Sequence, residues 1–189
     1  PTRRSSDLKE YLIDELLEKG CIFFGSQRVP SIIRLEKYGE CVLLKQKNEF
    51  MKLRVIPSKY SEKVCEIMTS FIDIPCLPLN NYLAITLSPS NPTMHPSRLY
   101  ELFNDYVEGE KVYPRNPYFY EEWGTLASQT LLDLDDELTE IFNSLNYNNE
   151  FYEEDMEKIK KRYGISIAEE LSKKINTAPG FQGIDSPMV

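Results

Sequence analysis

The stretch Ser88-Pro89-Ser90-Asn91-Pro92-Thr93-Met94-His95-Pro96-Ser97-Arg98-Leu99-Tyr100 divides the chain into two kinds of sequence pattern. Immediately upstream, Tyr82 to Leu87 is a near-continuous apolar run, the pattern of a strand buried on both faces. Phe50 to Ile56 predicts another strand after the polar turn Lys47-Asn48-Glu49. Ser31 to Leu35 and Cys41 to Lys45 are placed to pair across Tyr38-Gly39-Glu40, and Cys21 to Phe24 adds a short strand ending at Gly25. Two helices join them: Leu8 to Gly20, and one opened by Pro57-Ser58 with a stripe of Tyr60, Val64, Ile67, Met68, Phe71 and Ile72.

Downstream the periodicity is helical throughout. Pro96 to Tyr106 carries Leu99, Tyr100, Leu102, Phe103 and Tyr106. Asn116-Pro117 has the form of an N-cap followed by proline, and predicts a long helix from there to Leu145. Glu153 to Tyr163 and Ser166 to Ile175 predict two more helices, separated at Gly164, before a loop-like tail from Asn176 to Val189. The expected fold is therefore α/β followed by all-α, with an α/β part over residues 8–90 and a helical part over 91–189. Residues 1–7 read as an artefactual tail, translated adapter sequence joined to the coding sequence, and are set aside. Neither part looks complete, which predicts a chain cut from a longer protein.

Composition removes several function classes. A net charge of −8 argues against a nucleic-acid surface. No apolar run reaches the roughly 18 to 20 residues of a membrane span, so the expectation is a soluble, cytoplasmic protein with neither nucleic acid nor membrane as partner. The four cysteines form no Cys-x-x-Cys pair, and with one histidine there is almost no material for a zinc site; buried, reduced thiols are expected. No two glycines are separated by a single residue, so a Gly-x-Gly-x-x-Gly loop is absent, as is a Gly-Lys-Ser/Thr phosphate loop. The acidic runs Asp133 to Glu137 and Glu150 to Glu157 are expected to be solvated helix faces.

The chemistry concentrates in the opening stretch. His95, the only histidine, precedes Pro96 and is placed at the N-cap of the expected helix, where the helix dipole would disfavour imidazolium and keep a neutral ring available. Arg98, three residues on, could bind a carboxylate through its fork, and Asn91 adds an amide. Spacing alone equally allows a plain cap at His95 and a pairing of Arg98 with Glu101 or Asp105.

Asn91-Pro92-x-x-His95-Pro96-Ser97-Arg98-Leu99-Tyr100 resembles the segment that opens the α-helical domain of the octopine/nopaline (opine) dehydrogenase family. Phe24-Gly25-Ser26-Gln27-Arg28-Val29-Pro30-Ser31-Ile32-Ile33-Arg34, with Glu36-Lys37-Tyr38-Gly39, resembles that family's stretch late in the dinucleotide-binding domain. Asn116-Pro117-Tyr118-Phe119-Tyr120-Glu121-Glu122-Trp123 resembles the helix that follows. The order matches over about residues 20 to 145.

The resemblance implies a C-terminal part of a Rossmann-type domain over 8–90 joined to the start of an incomplete α-helical catalytic domain over 91–189. It implies NAD(P)H-dependent reductive condensation of an amino acid with an α-keto acid, with NAD or NADP as cofactor. His95 would be the catalytic histidine, with Asn91 and Arg98 as substrate contacts. It also implies that the glycine-rich loop and the acidic partner of the histidine lie outside Pro1–Val189, and that this piece alone does not turn over. Two other readings stand beside it: a two-domain dehydrogenase for a 2-keto or 3-hydroxy acid, and a non-enzymatic acidic helical interaction module.

Overall fold

A computed structural model of the chain describes residues 15–88, 90–110, 112–145 and 158–187. Backbone contacts divide it into two compact units: the described part of Pro1–Pro30 with Asn48–Tyr82, and Ser31–Lys47 with Leu83–Val189.

The first unit is a mixed three-stranded sheet. Strand β4 (Met51–Ile56) is central, with β1 (Phe23–Ser26) antiparallel on one side and β5 (Cys76–Pro78) parallel on the other. In β4, Met51, Leu53 and Val55 are buried and the residues between them half-buried, the period of two that a covered sheet face requires. Helix α1 (Ser61–Ile72) makes the crossover that a parallel pair needs. It ends at Asp73 in the left-handed conformation, whose N–H donates to Thr69 O. The core here comprises Met51, Leu53, Cys65, Ile74 and Cys76, with Met68 and Ile72 against it.

The second unit holds the hairpin β2 (Ser31–Lys37) and β3 (Cys41–Lys47), turning through Gly39 at positive φ. Its helices are α2 (Leu83–Thr86), α3 (Asn91–Phe103), α4 (Thr125–Leu145), α5 (Ile159–Tyr163) and α6 (Ala168–Asn176), with a 3-10 turn at Pro179–Phe181. Trp123, Ala127, Leu131, Leu171 and Ile175 form the fully buried centre. The α/β-then-helical order expected from sequence is present.

Several local expectations change. Tyr82 to Leu87 is not a strand. Leu83–Thr86 is a short helix closed by Leu87 N–H on Leu83 O, and an unbroken apolar run does not distinguish the two states. Helix α3 begins at Asn91 rather than Pro96, because Pro92 occupies its first turn and the Ser90 carbonyl takes the Met94 N–H and the Thr93 hydroxyl. The long helix begins at Thr125, not Asn116, and its 21 residues make about six turns. On α1, Ile67 and Phe71 belong to the expected apolar stripe but are exposed. Cys21 and Cys41 are exposed, while Cys65 and Cys76 are the buried pair. For the first helix, residues 15–18 are helical and 8–14 lie outside the described residues, as do 1–7, Glu150–Glu157 and the start of the helix expected at Glu153.

Asp135 is the instructive exception among the acidic runs. It is 4% exposed. Its carboxylate accepts Ile159 N–H at 2.7 Å and Lys160 N–H at 3.1 Å, satisfying orphan donors at the start of α5. Asp135→Ala should therefore cost about 1–3 kcal/mol of stability, the range for losing charge-assisted hydrogen bonds at a buried cap. Asp136→Ala, which loses only an exposed contact with Lys160, should cost about 1 kcal/mol or less. Urea denaturation of both variants checks this; equal losses would contradict it.

Candidate functional site

The site is built on α3 and the segment that leads into α4. His95 lies one turn inside α3, half-buried, and not at its N-cap. Pro96 follows it inside the helix, past the first turn, and removes the backbone donor that would otherwise reach the Pro92 carbonyl. The ring of His95 meets Phe119 edge-on, with centroids 5.3 Å apart, and its Nε2 is 3.0 Å from the Tyr120 hydroxyl oxygen. That hydroxyl donates to a bare Nε2 or accepts from Nε2–H, according to the ring's tautomer. Tyr120 is in turn stacked on Phe181 at 4.2 Å and parallel to Trp123 at 6.1 Å. Pairs of this kind contribute about 0.5–1.5 kcal/mol each.

Two sets of backbone contacts hold Tyr120 in place. The segment 116–120 is laced to the chain's last described residues: Phe119 N–H donates to Ile184 O, Ser186 N–H to Pro117 O, and the Asn116 side chain to Ser186 O. Asp185 is the backbone bridge partner of Tyr118. The loop-like tail is thus docked through residues 184–186.

From the other direction comes the Arg98–Glu101 pair. Arg98 is 4% exposed and donates from Nη1 to Glu101 at 2.5 Å and from Nη2 to Tyr118 O at 3.3 Å; its Nε has no hydrogen-bond partner among the described residues. Glu101 then accepts Gly124 N–H at 2.9 Å and Ala127 N–H at 3.3 Å, capping α4 from a neighbouring helix. A Cβ on Gly124 would overlap that carboxylate, so glycine is required for the approach. Of the two possibilities for Arg98, its side chain takes the pairing with Glu101. Asn91 is exposed at the start of α3, four residues before His95 and hence on the same helix face.

Burial pushes the His95 imidazole below its ordinary value, and the positive charge of Arg34 pushes it further down. The direction matches the sequence expectation, but the cause is desolvation and a guanidinium, not an N-cap dipole. Burial raises the Tyr120 phenol, with Arg34 opposing and Tyr163 adding to the rise, so it stays protonated at neutral pH. Neither Tyr120 nor Arg34 was singled out by sequence reasoning, though both lie in the stretches carrying the family resemblance. Among the described residues no group of three or more His, Cys, Asp or Glu could hold a metal ion, and no helix is long and apolar enough to cross a membrane.

The family described as NAD/NADP octopine/nopaline dehydrogenase, α-helical domain, matches residues 78–189, more than half of the chain. The chain belongs to this family. Among solved structures, this chain is similar to octopine dehydrogenase in complex with NADH and agmatine, with TM-score 0.68 and 16% identity over 88% of this chain and 43% of that one. It is likewise similar to octopine dehydrogenase with NADH and L-arginine (TM-score 0.67, 16% identity, 88% and 43% covered) and with NADH and pyruvate (0.68, 14%, 88% and 42%). The chain therefore spans less than half the length of these solved relatives, and at such identities the likeness speaks for the fold. No curated protein matches it significantly.

The lowered histidine is open to direct measurement. As the only histidine, His95 gives one ring signal, which should titrate by NMR with a midpoint below the ordinary 6.5. Below pH 6.5 the unfolded chain binds a proton that the folded ring resists, so this contribution to stability is present above 6.5 and is lost as pH falls through the folded value. A midpoint at or above 6.5 would contradict the burial argument.

Proposed function

We propose that the protein acts in NAD(P)H-dependent reductive condensation of an amino acid with an α-keto acid, with His95 as the acid–base group. The observation that carries this is a half-buried imidazole of lowered pKa, fixed at 3.0 Å by the Tyr120 hydroxyl, inside the segment matching the family's helical domain. Held below its ordinary value, the imidazole is neutral and free to take a proton.

The reaction joins an amine to a ketone with loss of water, and the reduced cofactor supplies hydride to the resulting imine carbon. The chain's own part is to polarise the keto or imino group and move the accompanying proton through His95. Its residues do not fit a dinucleotide cradle, since no two glycines stand one residue apart, and no step here is assigned to cofactor-binding groups of this chain. Asn91, exposed on the face of α3 that carries His95, is proposed as a substrate contact. Arg98 has both Nη groups committed and is proposed to serve the substrate by holding the frame around it. The similar solved structures are octopine dehydrogenase with NADH and agmatine, L-arginine or pyruvate. By analogy we propose a small α-keto acid and an amino acid here.

The test uses the full-length gene product with NADH or NADPH, a keto acid and single amino acids. Cofactor oxidation should require both substrates and yield a secondary amine; reduction of the keto acid alone would favour a simple keto-acid dehydrogenase instead. His95→Ala should lower kcat by about 10²–10⁴ with cofactor affinity unchanged, and an equal loss of both would contradict the acid–base assignment.

A further inference from the structure

We propose that Arg34, on the hairpin, binds the carboxylate group of the α-keto acid and so sets its carbonyl beside His95. The inference rests on the proposed reaction and adds a residue to it. Along β2, Ile32 and Arg34 are half-buried whereas Ile33 and Leu35 are exposed, so Ile32 and Arg34 share the covered face despite the register shift at Ile32/Ile33. Ile32 marks what that face looks at: its Cδ1 is 3.5 Å from where a Cβ on Gly180 would stand, and Gln46 on β3 approaches the same glycine. The next residue, Phe181, is stacked on Tyr120, and Tyr120 reaches His95. Strand, turn, phenol and imidazole therefore form one continuous contact chain, and Arg34 lies two residues from Ile32 on the same face of the strand.

Its guanidinium is otherwise little used. Nη1 donates to the carbonyl of the preceding residue, Ile33, at 2.8 Å, and no carboxylate pairs with Arg34 among the described residues. A cation left without a carboxylate, whose charge acts on His95 and Tyr120, suits an incoming monoanion. A keto acid presents a carboxylate that the planar fork can grip through two parallel bonds. The neighbouring carbonyl is then left within reach of neutral donors, His95 and Tyr120. The positive charge of Arg34 pushes both rings down, adding to burial at His95 and opposing it at Tyr120, and a bound carboxylate would neutralise it.

The probe is pyruvate, titrated into the full 189-residue chain while the single His95 ring signal is followed by NMR. Pyruvate should shift that signal saturably. Arg34→Gln should weaken binding by about 10-fold or more, as expected for loss of a bidentate charge-assisted contact. Arg34→Lys, which keeps the charge but not the fork, should fall between the two and shows that any loss comes from the contact and not from unfolding. In the full-length gene product Arg34→Gln should raise KM for the keto acid and leave KM for NADH unchanged. The proposal is overturned if the wild type gives no saturable response, if Arg34→Gln binds pyruvate as well as the wild type, or if inorganic phosphate displaces pyruvate at equal concentration. The outcomes separate the two ideas. Arg34-dependent pyruvate binding without amino-acid-dependent turnover would refute the reaction and keep the site, and turnover indifferent to Arg34 would do the reverse.

Discussion

The second unit depends on one carboxylate. Glu101 is gripped by the buried guanidinium of Arg98 and spends its remaining lone pairs on the first N–H groups of α4. A buried charge is costly unless paired and hydrogen-bonded, and here both partners meet that condition. The contact does three things together. It starts the longest described helix, ties α3 to α4, and, through the second arm of Arg98 on Tyr118 O, fixes the segment that carries Phe119 and Tyr120. Removal of either charge would leave the other buried without its partner, so the clamp is a structural necessity before it is anything catalytic.

The site inherits its geometry from that clamp. His95 and Arg98 are on the same helix, so anchoring Arg98 anchors the ring one turn away. The Tyr120 phenol that meets the ring is held by stacking on Phe181 and by the antiparallel contact between 116–120 and 184–186. The imidazole is consequently desolvated and hydrogen-bonded with no carboxylate against it among the described residues, which favours the neutral form. Two capping carboxylates, Glu101 for α4 and Asp135 for α5, follow the same logic: each comes from a preceding helix and closes the start of a later one.

That logic explains what the sequence could and could not reveal. The alternation of Met51, Leu53 and Val55 announces a covered strand because the burial pattern is local, and Tyr38-Gly39-Glu40 announces a hairpin because the turn is. The order of elements, mostly strands and then helices, was legible for the same reason, but not the grouping of the hairpin 31–47 with the helices. Helix starts were not. Asn116-Pro117 has the local form of a helix start, yet the N–H groups of α4 are satisfied by a side chain 23 residues earlier, and no window of neighbouring residues contains that information. Asp135 looked like one more solvated acid because its partners are 24 and 25 residues away. His95 was recognisable by being the sole histidine beside Pro96, but its environment comes from Tyr120 and Arg34, on other elements. The family resemblance located the stretches; packing alone shows which of their residues face one another.

The central claim is that His95 exchanges the proton in the reaction at this site. The most direct test is the pH dependence of kcat/KM for NAD(P)+-dependent oxidation of the secondary amine by the full-length gene product, where a general base must be unprotonated. The account predicts an acid limb in the wild type, as the ring takes up its proton, and a low rate without that limb in His95→Asn. An acid limb persisting unchanged in His95→Asn would contradict it, because some other group would then be exchanging the proton.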